Sequence, residues 1–200
     1  MDKPKVIGVT GGSGSGKTLF IEKLIESMPD VAVHSMDNYY IKRTLQPKDD
    51  QGVENFDTLG SINMVKYVED LKLLIEGKTI DLEEYNYNNP NSERKTIKIK
   101  SASIILVEGI FALFVEDLRS LLDLKLFIEA PGFLMLKRRI IRDAEERGYD
   151  LNDVLYRFEH HVTPAFRNYI EPSRKWADVI IPNHDNFNKA LEVILCYLNQ

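Results

Sequence analysis

Residues 11–18 read Gly11-Gly12-Ser13-Gly14-Ser15-Gly16-Lys17-Thr18, which fits the pattern G-x-x-x-x-G-K-[ST] of a phosphate-binding loop. The apolar run at 5–10 predicts a buried strand before this stretch, and apolar residues at helical spacing from 20 to 28 predict a helix after it. Glycine and serine leave room for backbone N–H groups to wrap a polyphosphate, and the start of the helix adds the positive end of its dipole. The sequence therefore predicts a strand, a loop and a helix that together bind the phosphates of a nucleotide.

Two side chains of this loop have chemical roles that follow from the motif. Lys17 is expected to reach the β- and γ-phosphates, and the hydroxyl of Thr18 is expected to bind Mg²⁺. A glycine- and serine-rich turn that matched the motif by chance would have no reason to stand between a strand and a helix. We therefore prefer the phosphate-binding interpretation to that of a simple turn.

The composition is that of a globular protein and narrows the classes of function. The chain has 200 residues, of which 44% are hydrophobic and 28% charged, with a formal net charge of −5. This charge argues against general binding of nucleic acids, because the chain offers no overall basic field to a phosphate backbone. The one cysteine, Cys196, excludes an internal disulfide, and we find no apolar run of membrane-spanning length and no signal peptide. We therefore expect a cytoplasmic protein that binds neither nucleic acid nor membrane.

Strands and helices alternate along the rest of the chain. Further strands are predicted at 31–36, 103–109, 124–129 and 178–182, and helices at 65–75, 131–147, 152–176 and 189–198. Short β-like runs at about 80–100 predict a hairpin that stands off the main sheet. This alternation predicts one α/β domain over 1–200, with a parallel sheet covered by helices on both faces.

Two carboxylates follow predicted strands, where ligands bind in open α/β sheets. Asp37 comes directly after the second strand and could act as the general base that accepts the proton of a substrate hydroxyl. The alternative for Asp37 is a helix cap or a turn residue. Glu108 ends an apolar strand, where its carboxylate could hold Mg²⁺, or could simply emerge at the surface.

The predicted helix at 131–147 is rich in basic residues and is followed by Gly148. Leu136, Ile140 and Ala144 share one face of this helix, while Arg138 and Arg142 lie on the opposite face. Its cations, with Arg147 at its end, could stabilise the charge of a transferring phosphoryl group. They could equally form a solvated face with an ion pair between Asp143 and Arg147, and the spacing does not rank them.

Taken in order, these motifs resemble those of the uridine kinase family, within the wider uridine kinase and phosphoribulokinase group of P-loop kinases. Besides residues 11–18, the matching pieces include Asp37-Asn38-Tyr39-Tyr40, Asn55-Phe56-Asp57, Tyr85-Asn86-Tyr87, Glu108-Gly109-Ile110, Arg142-Asp143 and Glu146-Arg147-Gly148. The resemblance covers nearly the whole chain. It implies a P-loop kinase fold with a five-stranded parallel sheet, helices on both faces and a small β-hairpin over the substrate site.

The resemblance also implies an activity, which is transfer of the γ-phosphoryl group of ATP to the 5′-hydroxyl of uridine or cytidine. The implied cofactors are ATP and Mg²⁺, the partner is a small nucleoside, and a homo-oligomer is expected. Asp37 would be the base and a neighbour of the metal, with Lys17 and Arg142 as the other catalytic residues. The resemblance implies that ATP is bound by residues 11–18, Arg147 and Asp185. The acceptor would be bound by Asp37, Tyr40, Asp57, Tyr85, Tyr87 and Arg139. The metal would be bound by Thr18, Asp37 and Glu108. The arginines would belong to a mobile lid at about 137–150.

Three departures from the family pattern concern the acceptor. The histidine that follows the aromatic pair in pyrimidine nucleoside kinases is absent from residues 88–92. Tyr149 stands in place of an arginine, and Arg157 stands where a glutamine is usual. A kinase for another riboside or a sugar phosphate is therefore an open alternative. A regulatory protein that binds ATP without turnover is another, although a pure binder would not need Asp37 as a base.

Overall fold

The computed structural model describes residues 3–85 and 95–199, apart from the side chains of residues 146 and 147. The strands are β1 (Lys5–Gly11), β2 (Val31–Ser35), β3 (Ile80–Glu83), β4 (Thr96–Ile99), β5 (Ile104–Glu108), β6 (Leu124–Glu129) and β7 (Val179–Pro182). The helices are α1 (Lys17–Ser27), α2 (Met64–Ile75), α3 (Glu116–Arg119), α4 (Gly132–Arg147), α5 (Leu151–Arg157), α6 (Thr163–Ala165), α7 (Glu171–Ser173) and α8 (Asn188–Leu198). These bounds confirm the predicted alternation of strands and helices.

The main sheet has five strands in the order β2-β5-β1-β6-β7, and every neighbouring pair is parallel. Side chains alternate between its faces, so Val6 and Val107 belong to one apolar core while Ile7 and Leu106 belong to the other. Helix α2 covers the first core, and α1 and α8 cover the second. The predicted α/β fold with helices on both faces of a five-stranded parallel sheet is confirmed.

The predicted hairpin is formed by β3 and β4, which pair antiparallel. Ile80 and Leu82 alternate with exposed residues along β3, and both are buried in the core on the α2 side of the sheet. The hairpin is therefore anchored to the main domain at its base. Tyr87 and the residues next to it lie outside the described part of the chain.

Helix α4 turns a different face inward from the one that its apolar residues suggest. Met135, Arg139 and Asp143 are buried at successive helical turns, whereas Ala144 is exposed. The helix ends at Gly148, whose φ of 65° is the left-handed conformation of a C-terminal glycine. Two of these three buried residues are polar because this face packs against the phosphate-binding loop rather than against an apolar core.

The helical stretch from α5 to α7 runs through two prolines. A π-helical segment, Phe158–Val162, stands before α6, and a second, Phe166–Ile170, stands before α7. Pro164 and Pro172 lie in the first turns of the short helices that follow. Because proline donates no hydrogen bond and crowds the preceding turn, the wider turns let the chain continue without a break.

In the described residues, no helix is long and apolar enough to cross a membrane.

Candidate active site

The phosphate-binding loop joins the end of β1 to the start of α1, and its glycines are required by its shape. Gly14 and Gly16 adopt φ angles of 80° and 99°. A Cβ atom on Gly14 would lie 2.4 Å from the carbonyl oxygen of Met135, and one on Gly16 would lie 2.2 Å from the amide nitrogen of Asn183. Both positions therefore combine a left-handed backbone with close packing, which only glycine satisfies.

Lys17 lies at the start of α1 and closes the loop upon itself. Its Nζ donates hydrogen bonds to the carbonyl oxygens of Gly11 and Gly12, at 3.0 and 3.1 Å. Burial lowers the pKa of Lys17, while the carboxylates of Glu108 and Asp37 act in the opposite direction. A phosphate bound in the loop would replace the two carbonyl oxygens as the partner of this ammonium group.

Three polar side chains from other elements hold the phosphate-binding loop through hydrogen bonds. The buried Asn183 amide donates to the carbonyl oxygen of Ser15 at 2.7 Å, and Arg138 donates to the same oxygen at 3.3 Å. Arg138 also donates to the carbonyl oxygen of Asn183 at 3.2 Å, and Arg139 donates to the hydroxyl of Ser13 at 3.0 Å. We did not single out Asn183 from the sequence. Its position directly after β7, at the carboxyl edge of the sheet, is the signal that could have found it.

The two predicted strand-end carboxylates lie in the same cleft. Asp37 belongs to a 3₁₀ turn, Met36–Tyr39, that follows β2, and Ser35 lies opposite Glu108 in the sheet. The Ser35 hydroxyl donates to the Glu108 carboxylate, while burial and the charge of Asp37 raise the pKa of Glu108 to about 7. A divalent cation would relieve this repulsion, and Thr18 brings a hydroxyl to the same cleft. The donor set of Thr18, Asp37 and Glu108 consists of oxygens and so fits Mg²⁺.

The basic residues of α4 divide into distinct environments. The buried Asp143 forms ion pairs with Arg139 at 3.1 Å and with Arg142 at 2.8 Å. Arg138, Arg139 and Arg142 line the cleft, whereas Lys137 is exposed. The predicted role of the Arg147 side chain lies outside the described part of the structure. The helix therefore provides both positions that face the cleft and positions that face solvent.

Aromatic rings cluster on one side of the cleft. The ring of Tyr40 lies 5.7 Å from that of Phe56 and 5.5 Å from that of Tyr85, measured between centroids. The backbone N–H of Tyr85 donates to the side-chain oxygen of Asn38 at 3.4 Å, which ties the end of β3 to the turn that carries Asp37. Asp57 lies beside this cluster and lines the cleft. Phe56 lines the cleft as well, although no role was predicted for it.

Two residues that depart from the family pattern lie side by side on one wall of the cleft. Tyr149 and Arg157 both line the cleft, and the Arg157 guanidinium lies 5.8 Å from the centroid of the Tyr149 ring. Arg157 also donates to the backbone carbonyl oxygen of Glu54 at 2.8 Å. The sequence indicated that both positions were unusual, but only the fold places them side by side.

One cleft of about 650 Å³ brings these groups together. Lys17, Thr18, Asp37 and Glu108 share it with Tyr40 and Asp57. At its other end lie Asp185 and Phe187, beside Leu19 and Lys23 of α1. The cleft thus contains the phosphate loop, an acidic and aromatic side, and a further side lined by residues that follow β7.

Comparisons with known proteins agree with this architecture. The model of the Phosphoribulokinase / Uridine kinase family matches residues 6–188. A uridine kinase of Macrococcus caseolyticus is 35% identical over 196 residues, which cover 97% of this chain and 95% of the relative. A uridine kinase of Clostridium novyi is 33% identical over 202 residues, which cover 100% of this chain and 97% of the relative.

Solved structures share the fold at lower identity. A possible uridine kinase from Bacillus stearothermophilus superimposes with a TM-score of 0.66 at 19% identity, covering 90% of this chain and 89% of the other. Phosphoribulokinase from Rhodobacter spheroides gives a TM-score of 0.58 at 17% identity, covering 91% of this chain and 71% of the other. These two likenesses establish the fold.

Proposed function

The chain belongs to the phosphoribulokinase/uridine kinase family, and from this premise we propose that it is an ATP-dependent nucleoside kinase. It transfers the γ-phosphoryl group of ATP to the 5′-hydroxyl of a ribonucleoside, with uridine and cytidine as its acceptors and UMP and CMP as its products. The observation that carries this proposal is the cleft in which Lys17, Asp37 and Glu108 lie beside an aromatic wall with Asp57. Relatives of nearly the same length that are named uridine kinase support the choice of acceptor.

The phosphate loop and Lys17 hold the donor. Backbone N–H groups of residues 11–18 surround the β- and γ-phosphates, and Lys17 exchanges its bonds to Gly11 and Gly12 for bonds to phosphate oxygens. Thr18, Asp37 and Glu108 would hold Mg²⁺, which supplies charge neutralisation at the phosphates when it is bound. Arg142 faces the transferring group, and Asp185 lies at the end of the cleft that we assign to adenine.

Asp37 and the aromatic wall act on the acceptor. Asp37 accepts the proton of the 5′-hydroxyl as the oxygen attacks the γ-phosphorus and the bond to the β–γ bridging oxygen breaks. Asp57 accepts hydrogen bonds from the ribose hydroxyls, while Tyr40 and Tyr85 pack against the flat base. Arg139, buried against Asp143 and bonded to Ser13, connects the acceptor to the phosphate loop.

From the same family membership we infer that residues 137–150 form a lid. Closure of the arginine segment over bound ATP would exclude water and so limit wasteful hydrolysis.

We also infer a cytoplasmic location. The single cysteine and the net charge of −5 are consistent with a soluble metabolic enzyme in a reducing compartment. A homo-oligomer is also proposed, and sedimentation of the purified protein measures it.

One coupled assay of ADP release tests the acceptor. It compares kcat/KM for uridine, cytidine, adenosine, guanosine, nicotinamide riboside and ribulose 5-phosphate, together with a reaction that lacks an acceptor. We expect a pyrimidine nucleoside to give the highest value, because the rings and Asp57 suit a ribonucleoside. If another acceptor is used while uridine and cytidine are not, the assignment of substrate fails and kinase chemistry stands. If no acceptor of this panel raises ADP release, the nucleoside-kinase proposal fails, and a kinase for another small hydroxyl compound and a regulatory ATP binder are the alternatives that stand.

A further inference from the structure

A hydrogen-bonded cluster around the buried His161 lies outside the phosphate-transfer machinery and connects two parts of the acceptor wall. One carboxylate oxygen of Asp49 accepts from the Tyr156 hydroxyl at 2.8 Å and from His161 Nε2 at 2.7 Å. The other oxygen accepts from the backbone N–H groups of Gln51 and Val53, at 3.0 and 2.9 Å. His161 is 2% exposed. Asp49, Tyr156 and His161 form what we call the Asp49 cluster.

The Asp49 cluster fixes a turn that leads directly to the acceptor site. Asp49 closes the turn at 49–53, and an antiparallel bridge joins Lys48 to Glu54 on either side of it. The chain then continues through Asn55, whose side chain accepts from the backbone N–H of Asp57 at 2.9 Å. The positions of Asp57 and of its neighbour Phe56 are therefore coupled to the position of this turn.

The segment around the turn is held by polar contacts, which also include the Ser61 hydroxyl donating to the carbonyl oxygen of Asn55 at 2.7 Å and an ion pair of Arg43 with Glu54 at 3.9 Å. Among residues 47–57, all of which the structure describes, none is buried, so apolar packing contributes little to its position. The helical stretch opposite is anchored independently, because Val154, Val162 and Ala165 are buried. Polar contacts made by Tyr156, Arg157 and His161 join this stretch to the turn.

The local helix geometry brings these donors to the same side. Tyr156 and His161 are five residues apart, which is the spacing of the π-helical turn at Phe158–Val162. Arg157 lies between them in sequence, bonded to Glu54 and lining the cleft. A shift of the turn would thus move Asp57 and the guanidinium of Arg157 together.

We propose that Asp49, through His161 and Tyr156, is a positioning residue for the acceptor, which sets acceptor affinity without entering the chemistry. The proposal rests on the proposed kinase function, because it assigns the turn at 49–57 to the acceptor side. The Asp49 cluster affects binding of the nucleoside rather than of ATP, since in the described residues it contacts neither the phosphate loop nor the end of the cleft beside Asp185. It predicts that the acceptor and the donor respond differently when the cluster is broken.

Steady-state kinetics of single variants test this split. Asp49→Asn removes the charge, and His161→Phe removes the ring donor at similar size. Both should raise the KM for the acceptor roughly tenfold, because each breaks a charge-assisted hydrogen bond that holds the turn. The KM for ATP and kcat should stay within about twofold. His161→Gln, which keeps an N–H donor, should restore much of the acceptor affinity that His161→Phe loses.

The matched control is Asp50→Asn, because Asp50 is the exposed neighbour of Asp49 and the same charge is removed. It should leave both KM values unchanged. Hydrogen exchange in the Asp49 variant should increase over 47–57 and stay unchanged over 11–18. An unchanged acceptor KM in both cluster variants, or an equal rise in the KM for ATP, would overturn the proposal.

Two further measurements keep the test decisive. If Asp49→Asn does not fold, Tyr156→Phe removes one hydroxyl only and should raise the acceptor KM by a smaller factor in a folded protein. If the wild type phosphorylates no nucleoside, the proposed function fails separately. Hydrogen exchange over 47–57 then still shows whether Asp49 holds this wall, and exchange that does not change rejects it.

Discussion

Replacement of Gly16 by alanine should damage the phosphate loop through two separable effects. The first is backbone strain, because Gly16 has a φ of 99° and a residue with a Cβ atom costs about 1–2 kcal/mol in such a conformation. The second is steric, because the new Cβ would lie 2.2 Å from the side-chain nitrogen of Asn183. The amide of Asn183 must then leave its bond with the Ser15 carbonyl oxygen.

The loss of that bond has a definite size because the site is buried. Asn183 is 4% exposed, and its bond to Ser15 is 2.7 Å long. A buried hydrogen bond that is broken while its acceptor stays buried costs about 1–3 kcal/mol. Gly16→Ala should therefore lower the free energy of unfolding by about 2–5 kcal/mol. Binding of a fluorescent ATP analogue should weaken by at least tenfold.

A double-mutant cycle separates the two effects. Asn183→Ala alone removes the amide and should lower the free energy of unfolding by about 1–3 kcal/mol. In that background Gly16→Ala should cost only the strain of about 1–2 kcal/mol, because no amide remains to be displaced. Urea unfolding gives all four free energies, and Asn168→Ala, at an exposed asparagine, is the control. Additive effects of the two substitutions would refute the steric contact between Gly16 and Asn183.

Lys17→Ala should lower kcat/KM by on the order of 10³-fold, and EDTA should abolish the activity of the wild type; near wild-type turnover in either case would contradict the roles of Lys17 and the metal. Asp37→Asn should lower kcat roughly 10²–10⁴-fold with little change in ATP binding, and a collapse of ATP affinity with high residual kcat would instead assign Asp37 to the metal. The pKa of Glu108 is raised from 4.5 to about 7, so the folded protein binds a proton there that the unfolded chain has released. Without Mg²⁺ the free energy of unfolding should therefore fall by at most about 3 kcal/mol as pH rises through that interval, and Glu108→Gln should remove this dependence in thermal melts. If the difference in free energy of unfolding between the wild type and Glu108→Gln rises with pH instead, the reasoning is refuted. Hydrogen exchange over 137–150 should slow when an ATP analogue and an acceptor bind together, and unchanged exchange there would count against a lid.

The sequence could predict those parts of the fold that rest on local patterns. The loop at 11–18 fixes a strand before it and a helix after it, and the apolar runs at β5 and β6 have the length and composition of buried parallel strands. Asp37 and Glu108 could be placed in one site because the carboxyl ends of parallel strands meet at the same edge. These predictions needed no knowledge of side-chain packing.

The orientation of α4 could not be predicted in this way. Its apolar residues suggest one inward face, but Met135, Arg139 and Asp143 are the buried residues at helical spacing. Periodicity assumes that a helix packs against an apolar core. Helix α4 packs against backbone carbonyl groups and hydroxyls of the phosphate loop, so two of these three buried residues are polar.

The α/β order, the phosphate loop and the strand-end carboxylates could thus be predicted without a structure, since each depends on a short stretch of residues. Contacts between distant stretches became visible only in the folded chain. The fold placed Asn183 behind Ser15, paired Tyr149 with Arg157, and brought His161 onto Asp49, at separations of more than 100 residues for the first and last of these. Such contacts depend on which element packs on which and with what rotation, and a single polar residue carries no periodic signal that would reveal its partner.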